Sequence, residues 1–218
     1  MKTRKTPMMR WLVATSILAL AVLLGGNSSD PWLWAYVGAF GALGLLAMAS
    51  MDEDLVRERF SPPDPGADRL SLRVVRLVAL SHLVIGILDS RFGWTHVAGF
   101  LRPVGVVGFS ACFLLIIHAA RTNRYFSSVV RIQSERGHRV VDSGPYGTIR
   151  HPGYAAMLPV AQFSALALGS WLAFIAAFAY SVLILKRVLF EDRFLHERLP
   201  DYSAYAGRVR YRLIPRVW

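Results

Sequence analysis

One cysteine in 218 residues leaves no partner for an intrachain disulfide, so Cys112 reads as a small apolar residue within an apolar run. Charge is scarce as well. Only 18% of the residues are charged while 54% are hydrophobic, a balance that suits an integral membrane protein better than a soluble domain. Acidic residues are the scarcer sign, and the net charge is +11. The arginines flank apolar runs instead of forming a basic stripe, so nucleic acid is not an expected partner. Neither an internal repeat nor a low-complexity tract is visible.

What is present is a set of long apolar stretches. A membrane helix needs about 20 apolar residues to cross a hydrocarbon core of about 30 Å. Trp11–Leu24, Trp32–Ser50, Val74–Leu88 and Val104–Ala120 read as four such helices. The first follows Lys2, Arg4, Lys5 and Arg10 and could pass for a signal peptide. It lacks a clear small-residue cleavage site, and further spans follow, so it reads as a retained helix. The stretch Ala155–Leu185 is too long for one helix and is broken at Gly169-Ser170, which predicts a tight helical hairpin. The expected fold is therefore all-α: a polytopic membrane bundle of about six crossings, with a C-terminal hairpin and an amphipathic tail on the membrane surface.

Charge placement orients that bundle. The N-terminal arm, the connection Met51–Arg73, the loop Arg121–Tyr154, the tail from Lys186 and Arg76 together hold 23 of the 25 Lys and Arg residues. Positive residues collect on the cytoplasmic side, so both termini and the long loop are expected there. Met51–Arg69, with its "SPPDPGADR", reads as an exposed connection. Residues 1–50 form an accessory hairpin on this reading, and the functional unit runs over 70–218 with its core motifs in 121–218.

The loop "RIQSERGHRVVDSGPYGTIRHPGY" is too long and too rich in arginine, histidine, glycine and proline for a plain connection. Ser143-Gly144-Pro145-Tyr146 signals a turn, and His151-Pro152 stands at a helix entry. Such an entry offers backbone N–H groups to an anion, and Tyr146 and Tyr154 offer ring faces to a cation. In the tail, Arg187 and Glu191 are four residues apart and share a helix face at the mouth of the last apolar helix. A charged pair there suits the lining of a polar cavity, an ordinary surface ion pair being the plainer alternative.

"IQ…GHRVV", "GPY…RHPGY", an apolar hairpin, "R-x-x-x-E-D" and the ending "DYSAYAGRVRYRLIP" occur in this order. Together they resemble the isoprenylcysteine carboxyl methyltransferases, to which phospholipid and thiol methyltransferases are related. The resemblance covers about residues 120–218, thins towards Leu70 and does not reach residues 1–50. It implies a polytopic membrane enzyme that uses S-adenosylmethionine in a pocket built from loop, hairpin and tail. No Rossmann domain is implied, and the chain has no glycine-rich strand-turn-helix fingerprint. By the same resemblance the cofactor residues are Gln133, His138, Arg139, Val140, Val141, Tyr146, His151, Pro152, Gly153, Tyr154 and Glu191. Arg187 matches the position that holds the acceptor's carboxylate, and no metal is implied.

Two positions depart from the family pattern: Gly147-Thr148 follow "GPY", and the usual glutamate pair appears as Glu191-Asp192. The implied acceptor is lipophilic, such as an isoprenylated thiol-acid. A small thiol or a phospholipid amine is the alternative, and would call for a base. A non-catalytic membrane subunit or a transporter remains a different class. A transporter would place ionisable groups at the bilayer midplane, where His82 and His118 lack an evident carboxylate partner.

Overall fold

The chain's computed structural model describes residues 2–64 and 66–218, with side chains from Thr6 onward. The side chains of Lys2, Arg4 and Lys5, part of the basic arm, lie outside the described residues. Eight α-helices are present among them: α1 (Lys2–Gly25), α2 (Pro31–Ser50), α3 (Glu53–Phe60), α4 (Arg69–Phe92), α5 (Leu101–Thr122), α6 (Pro152–Leu168), α7 (Trp171–Arg198) and α8 (Tyr202–Arg208). The fold is an all-helical membrane bundle.

Local sequence explains where the helices start and stop. Asp30 caps α2 by accepting from the Trp32 N–H at 2.9 Å, with Pro31 in the first turn, where no N–H is needed. Asp52 caps α3 through the Leu55 N–H at 2.7 Å. The predicted break in the hairpin is real. Gly169 ends α6 in the left-handed region at φ +78°, and Ser170 caps α7 by accepting from the Ala173 N–H. The arms are longer than the apolar run implied: α6 begins at Pro152, and α7 continues through Arg187 and Glu191 to Arg198.

Five helices among the described residues are long and apolar enough to cross a membrane: Thr6–Gly25, Pro31–Ser50, Arg69–Phe92, Leu101–Thr122 and Trp171–Arg198. With 17 residues, α6 falls short of that length. It still runs from the end of the bundle that holds the long loop to the opposite end, where Arg102 donates to the Ala167 carbonyl at 3.0 Å. Ile17, Leu77, Val107, Ile175 and Phe178 are each at least 61% exposed, a pattern that suits contact with lipid.

Contacts sort the connections into two ends. At one end Arg10 donates to Ser61, Arg59 to the Ser127 carbonyl, and the Arg150 N–H to the Tyr211 carbonyl. The other end holds Asn27, Asp30, Asp89, Thr95 and Gly169 around a small cavity. α1 and α2 pack into the same core as the rest: Leu18, Val22, Leu33 and Tyr36 meet Ile87, Phe109 and Leu168. A buried polar chain joins α2 to α4 and α6, in which Ser164 bridges the Tyr36 hydroxyl (2.8 Å) and His82 (2.9 Å). His82 is thus a partnered structural histidine.

Residues 51–69 differ from the exposed connection read from the sequence. Within them α3 buries Leu55 and Val56 against Ala47, Met51, Ile117 and Ala120. Glu58 is buried as well, accepting from Arg131 at 3.0 and 2.7 Å and from Ser127 at 2.7 Å. The tail also turns inward: Tyr202, Tyr205, Val209 and Leu213 are buried in the protein.

Candidate active site

A cavity of about 360 Å³ opens between α3, α4, the loop 123–151, α6, α7 and the tail. That volume is ordinary for a small-molecule site, which runs from about 300 to 1,000 Å³. Of the sequence-predicted residues, His138, Arg139, Val140, Val141, Tyr146, His151, Gly153, Tyr154, Arg187 and Glu191 line it. Gln133 and Pro152 do not.

Gln133 is fully buried and organises the loop. Its amide donates to the Tyr125 carbonyl at 2.7 Å, its side-chain oxygen accepts from Arg136 at 2.5 Å, and its backbone N–H donates to His138 Nδ1 at 3.2 Å. His138 stacks on Tyr125, with ring centroids 4.4 Å apart. The two rings make one aromatic wall. Tyr146 makes another: its hydroxyl donates to the Ala119 carbonyl at 3.3 Å, and its own carbonyl accepts from Tyr205 at 2.7 Å. Burial pushes the Tyr146 phenol well above the usual range, so it stays neutral.

Burial, with the charges of Arg131 and Arg136 beside it, pushes His138 down to about 4. Its Nδ1 accepts a backbone N–H, which requires the neutral ring. Between the ordinary histidine value of about 6.5 and about 4, the unfolded chain takes up a proton that the folded chain does not. This part of the stability is therefore complete above about pH 6.5 and is lost as pH falls towards 4. Thermal unfolding followed across that window should show a flatter pH dependence for His138→Gln than for the wild type. Parallel curves would rule out the assignment.

Two clusters hold the far wall together. In the first, Asp192 is a buried carboxylate with four partners: Arg150 at 3.0 and 3.1 Å, His151 at 3.0 Å, Tyr202 at 3.0 Å and Arg212 at 2.8 Å. It ties α7 to the entry of α6, to α8 and to the tail. Just before the helix, the Arg150 and His151 N–H groups donate to the Tyr211 and Arg212 carbonyls, so the tail pairs with the segment that leads into α6.

The second cluster surrounds Arg187. Its Nη2 donates to the Ser128 carbonyl at 2.6 Å and lies 2.8 Å from Asp68 Oδ2. The latter is an ion pair without hydrogen-bond alignment, since Asp68 Oδ2 has no hydrogen-bond partner. Arg187 Nε is buried and unpartnered too. One turn along α7, Glu191 accepts from the Tyr154 hydroxyl at 2.7 Å, and the Arg187 guanidinium lies 6.0 Å from the Tyr154 ring centroid. The pairing of loop and tail expected from the sequence is therefore present, with Arg187 and Glu191 both in the cavity wall.

Sequence reasoning missed Tyr125, Asp68, Arg59 and the central position of Asp192. Asp68 immediately precedes α4 and reaches Arg187 only through the folded bundle, so no local pattern marks it. Asp192 had a signal, being buried next to Glu191 where the family pattern carries a second acid. Among the described residues no group of three or more His, Cys, Asp or Glu is placed to hold a metal ion.

Known proteins resemble this chain in sequence and in fold. Residues 104–197 match the model of the isoprenylcysteine carboxyl methyltransferase (ICMT) family. The cobalt-zinc-cadmium resistance protein CzcN of Cupriavidus metallidurans is 28% identical over 138 residues, covering 63% of this chain. The match spans 59% of that relative's length, less than two thirds of it. The fold is similar to that of the eukaryotic intramembrane Ras methyltransferase ICMT, with a TM-score of 0.60 over 89% of this chain and 70% of that one. Identity there is 18%, so that likeness speaks for the fold alone.

Proposed function

We propose that this chain is a membrane methyltransferase of the isoprenylcysteine carboxyl methyltransferase family, using S-adenosylmethionine on a lipophilic carboxylate acceptor. The observation that carries this reading is Arg187: a buried guanidinium with an unpartnered Nε, one helical turn from Glu191 in the same cavity.

The residues present fit the cofactor's chemistry. Its ammonium group calls for a carboxylate, and Glu191 is partly exposed in the cavity wall, held in place by the Tyr154 hydroxyl. Its adenine and sulfonium call for ring faces, which Tyr125, His138, Tyr146 and Tyr154 supply. When bound, the cofactor supplies an electrophilic methyl group. The chain's own part is to hold the acceptor and exclude water. Arg187 orients the acceptor's carboxylate as a fork. A carboxylate is ionised at neutral pH, so no residue has to remove a proton. His151, bonded to Asp192, accordingly serves the frame of the site. Methylation of an amine would place a cation, or a group about to become one, beside the guanidiniums of Arg59 and Arg187, which favours the acid over a phospholipid amine.

The site faces the cytoplasm in this reading, because the end of the bundle that holds it carries most of the basic residues. Both termini lie on that side. The acceptor enters from the bilayer.

Calorimetry on the detergent-solubilised chain should detect S-adenosylmethionine binding, and Glu191→Ala should weaken it about tenfold or more, the loss of a charge-assisted bond. A well-folded wild type that binds no cofactor would overturn the reading. Labelled-methyl transfer compared across prenyl-thiol acids, phospholipids and small thiols then identifies the acceptor class.

A further inference from the structure

The acceptor side of the cavity holds a second guanidinium that neither the family match over 104–197 nor the sequence motifs include. Arg59 lies in the last turn of α3 and lines the same cavity as Arg187. Its neighbour Glu58 is fully taken up by Arg131 and Ser127. Among the described residues Arg59 has no ion pair. It donates one long bond, 3.3 Å, to the Ser127 carbonyl, and its guanidinium lies 5.1 Å from the Phe126 ring centroid. Burial and the charge of Arg187 both lower its pKa, as happens to a cation held near another cation without a counter-ion. Arg187 offers the matching vacancy in its unpartnered Nε. The same cavity has apolar lining from Leu72, Val75, Ala79, Met157 and Ile184, with Arg76 and Tyr180 beside them.

We infer that Arg59 and Arg187 form a two-arginine clamp on the anionic head of the acceptor, whose aliphatic chain lies along the apolar lining. Arg59 is thus a specificity residue: it adds an interaction that an acid has and its neutral analogue lacks. The inference rests on the methyltransferase reading for the acceptor's role, but binding alone can test it, without methyl transfer.

The probes are a long-chain S-alkylthioacetic acid and its primary amide, titrated onto the full-length solubilised protein. The wild type should bind the acid at least about tenfold more tightly than the amide, the range expected for hydrogen bonds to a charged group. Arg59→Gln should weaken acid binding about tenfold, leave the amide within twofold, and leave S-adenosylmethionine affinity unchanged. Arg59→Lys, which keeps the charge but not the fork, should fall between. Unchanged acid affinity in Arg59→Gln, or an equal loss for acid and amide, would overturn the clamp. So would labelling by an acid with a diazirine beside its carboxylate that, in the unaltered protein, misses Glu53–Phe60 altogether; this arm holds even if the glutamine variant does not fold. Absent cofactor binding by the wild type strikes the methyltransferase reading instead, and the two failures are therefore distinct.

Discussion

Arg187→Gln should lower transfer to a carboxylate acceptor by about ten- to a hundredfold and change S-adenosylmethionine affinity by less than about threefold. A charge-assisted fork contributes about 1.5–3 kcal/mol, and about 2.7 kcal/mol corresponds to a hundredfold. The variant carries a structural cost as well. Asp68 is buried against Arg187, and removing one partner of a buried pair costs about 3–5 kcal/mol because it strands the other charge. The double variant Asp68→Asn/Arg187→Gln removes both charges and should recover most of that stability without recovering transfer. Thermal unfolding and labelled-methyl transfer on the same samples separate the two effects. If cofactor affinity falls in step with transfer, Arg187 does not serve the acceptor alone and the division of roles is lost.

Asp192→Ala should be the most destabilising single change in the site, by about 3–5 kcal/mol, since it leaves Arg150, His151 and Arg212 without their shared carboxylate. Unlike Arg187→Gln, it should take cofactor binding with it. The loop 123–151 and the tail are joined through this carboxylate, and both contribute to the cavity. Asp192→Asn keeps an acceptor for the Tyr202 hydroxyl and should be milder. The expected readout is a lower unfolding midpoint with earlier proteolytic cleavage within 131–150. A midpoint equal to that of the wild type would exclude a structural role for this carboxylate.

Hydropathy located the long helices, and Gly169-Ser170 located the hairpin, because both signals are local. The loop and tail motifs met as expected, because family motifs in fixed order carry three-dimensional information that a single helix face does not. What stayed hidden is long-range. Nothing near α3 announces that Glu58 pairs with Arg131, 73 positions away, or that Asp68 meets Arg187 across the bundle. The pairing of the Arg150 and His151 N–H groups with the tail, some 60 residues downstream, is equally invisible in the local pattern. Spacing on α7 placed Arg187 and Glu191 on one face. Asp192, about 100° around the helix from Glu191, turns to a different set of partners.

The unbroken course of α7 has a further consequence. The helix is pinned at one end by Ser170, which donates to Asp89 at 2.5 Å, and at the other by Asp192. Between these anchors, four residues set the rise from Arg187 to Glu191 at about 6 Å. Under the proposed function the helix works as a ruler that fixes the offset between the cofactor and acceptor heads, whatever the loops around it do. Changes of acceptor can then arise on α3 and α4 while the scale engraved on α7 stays unaltered.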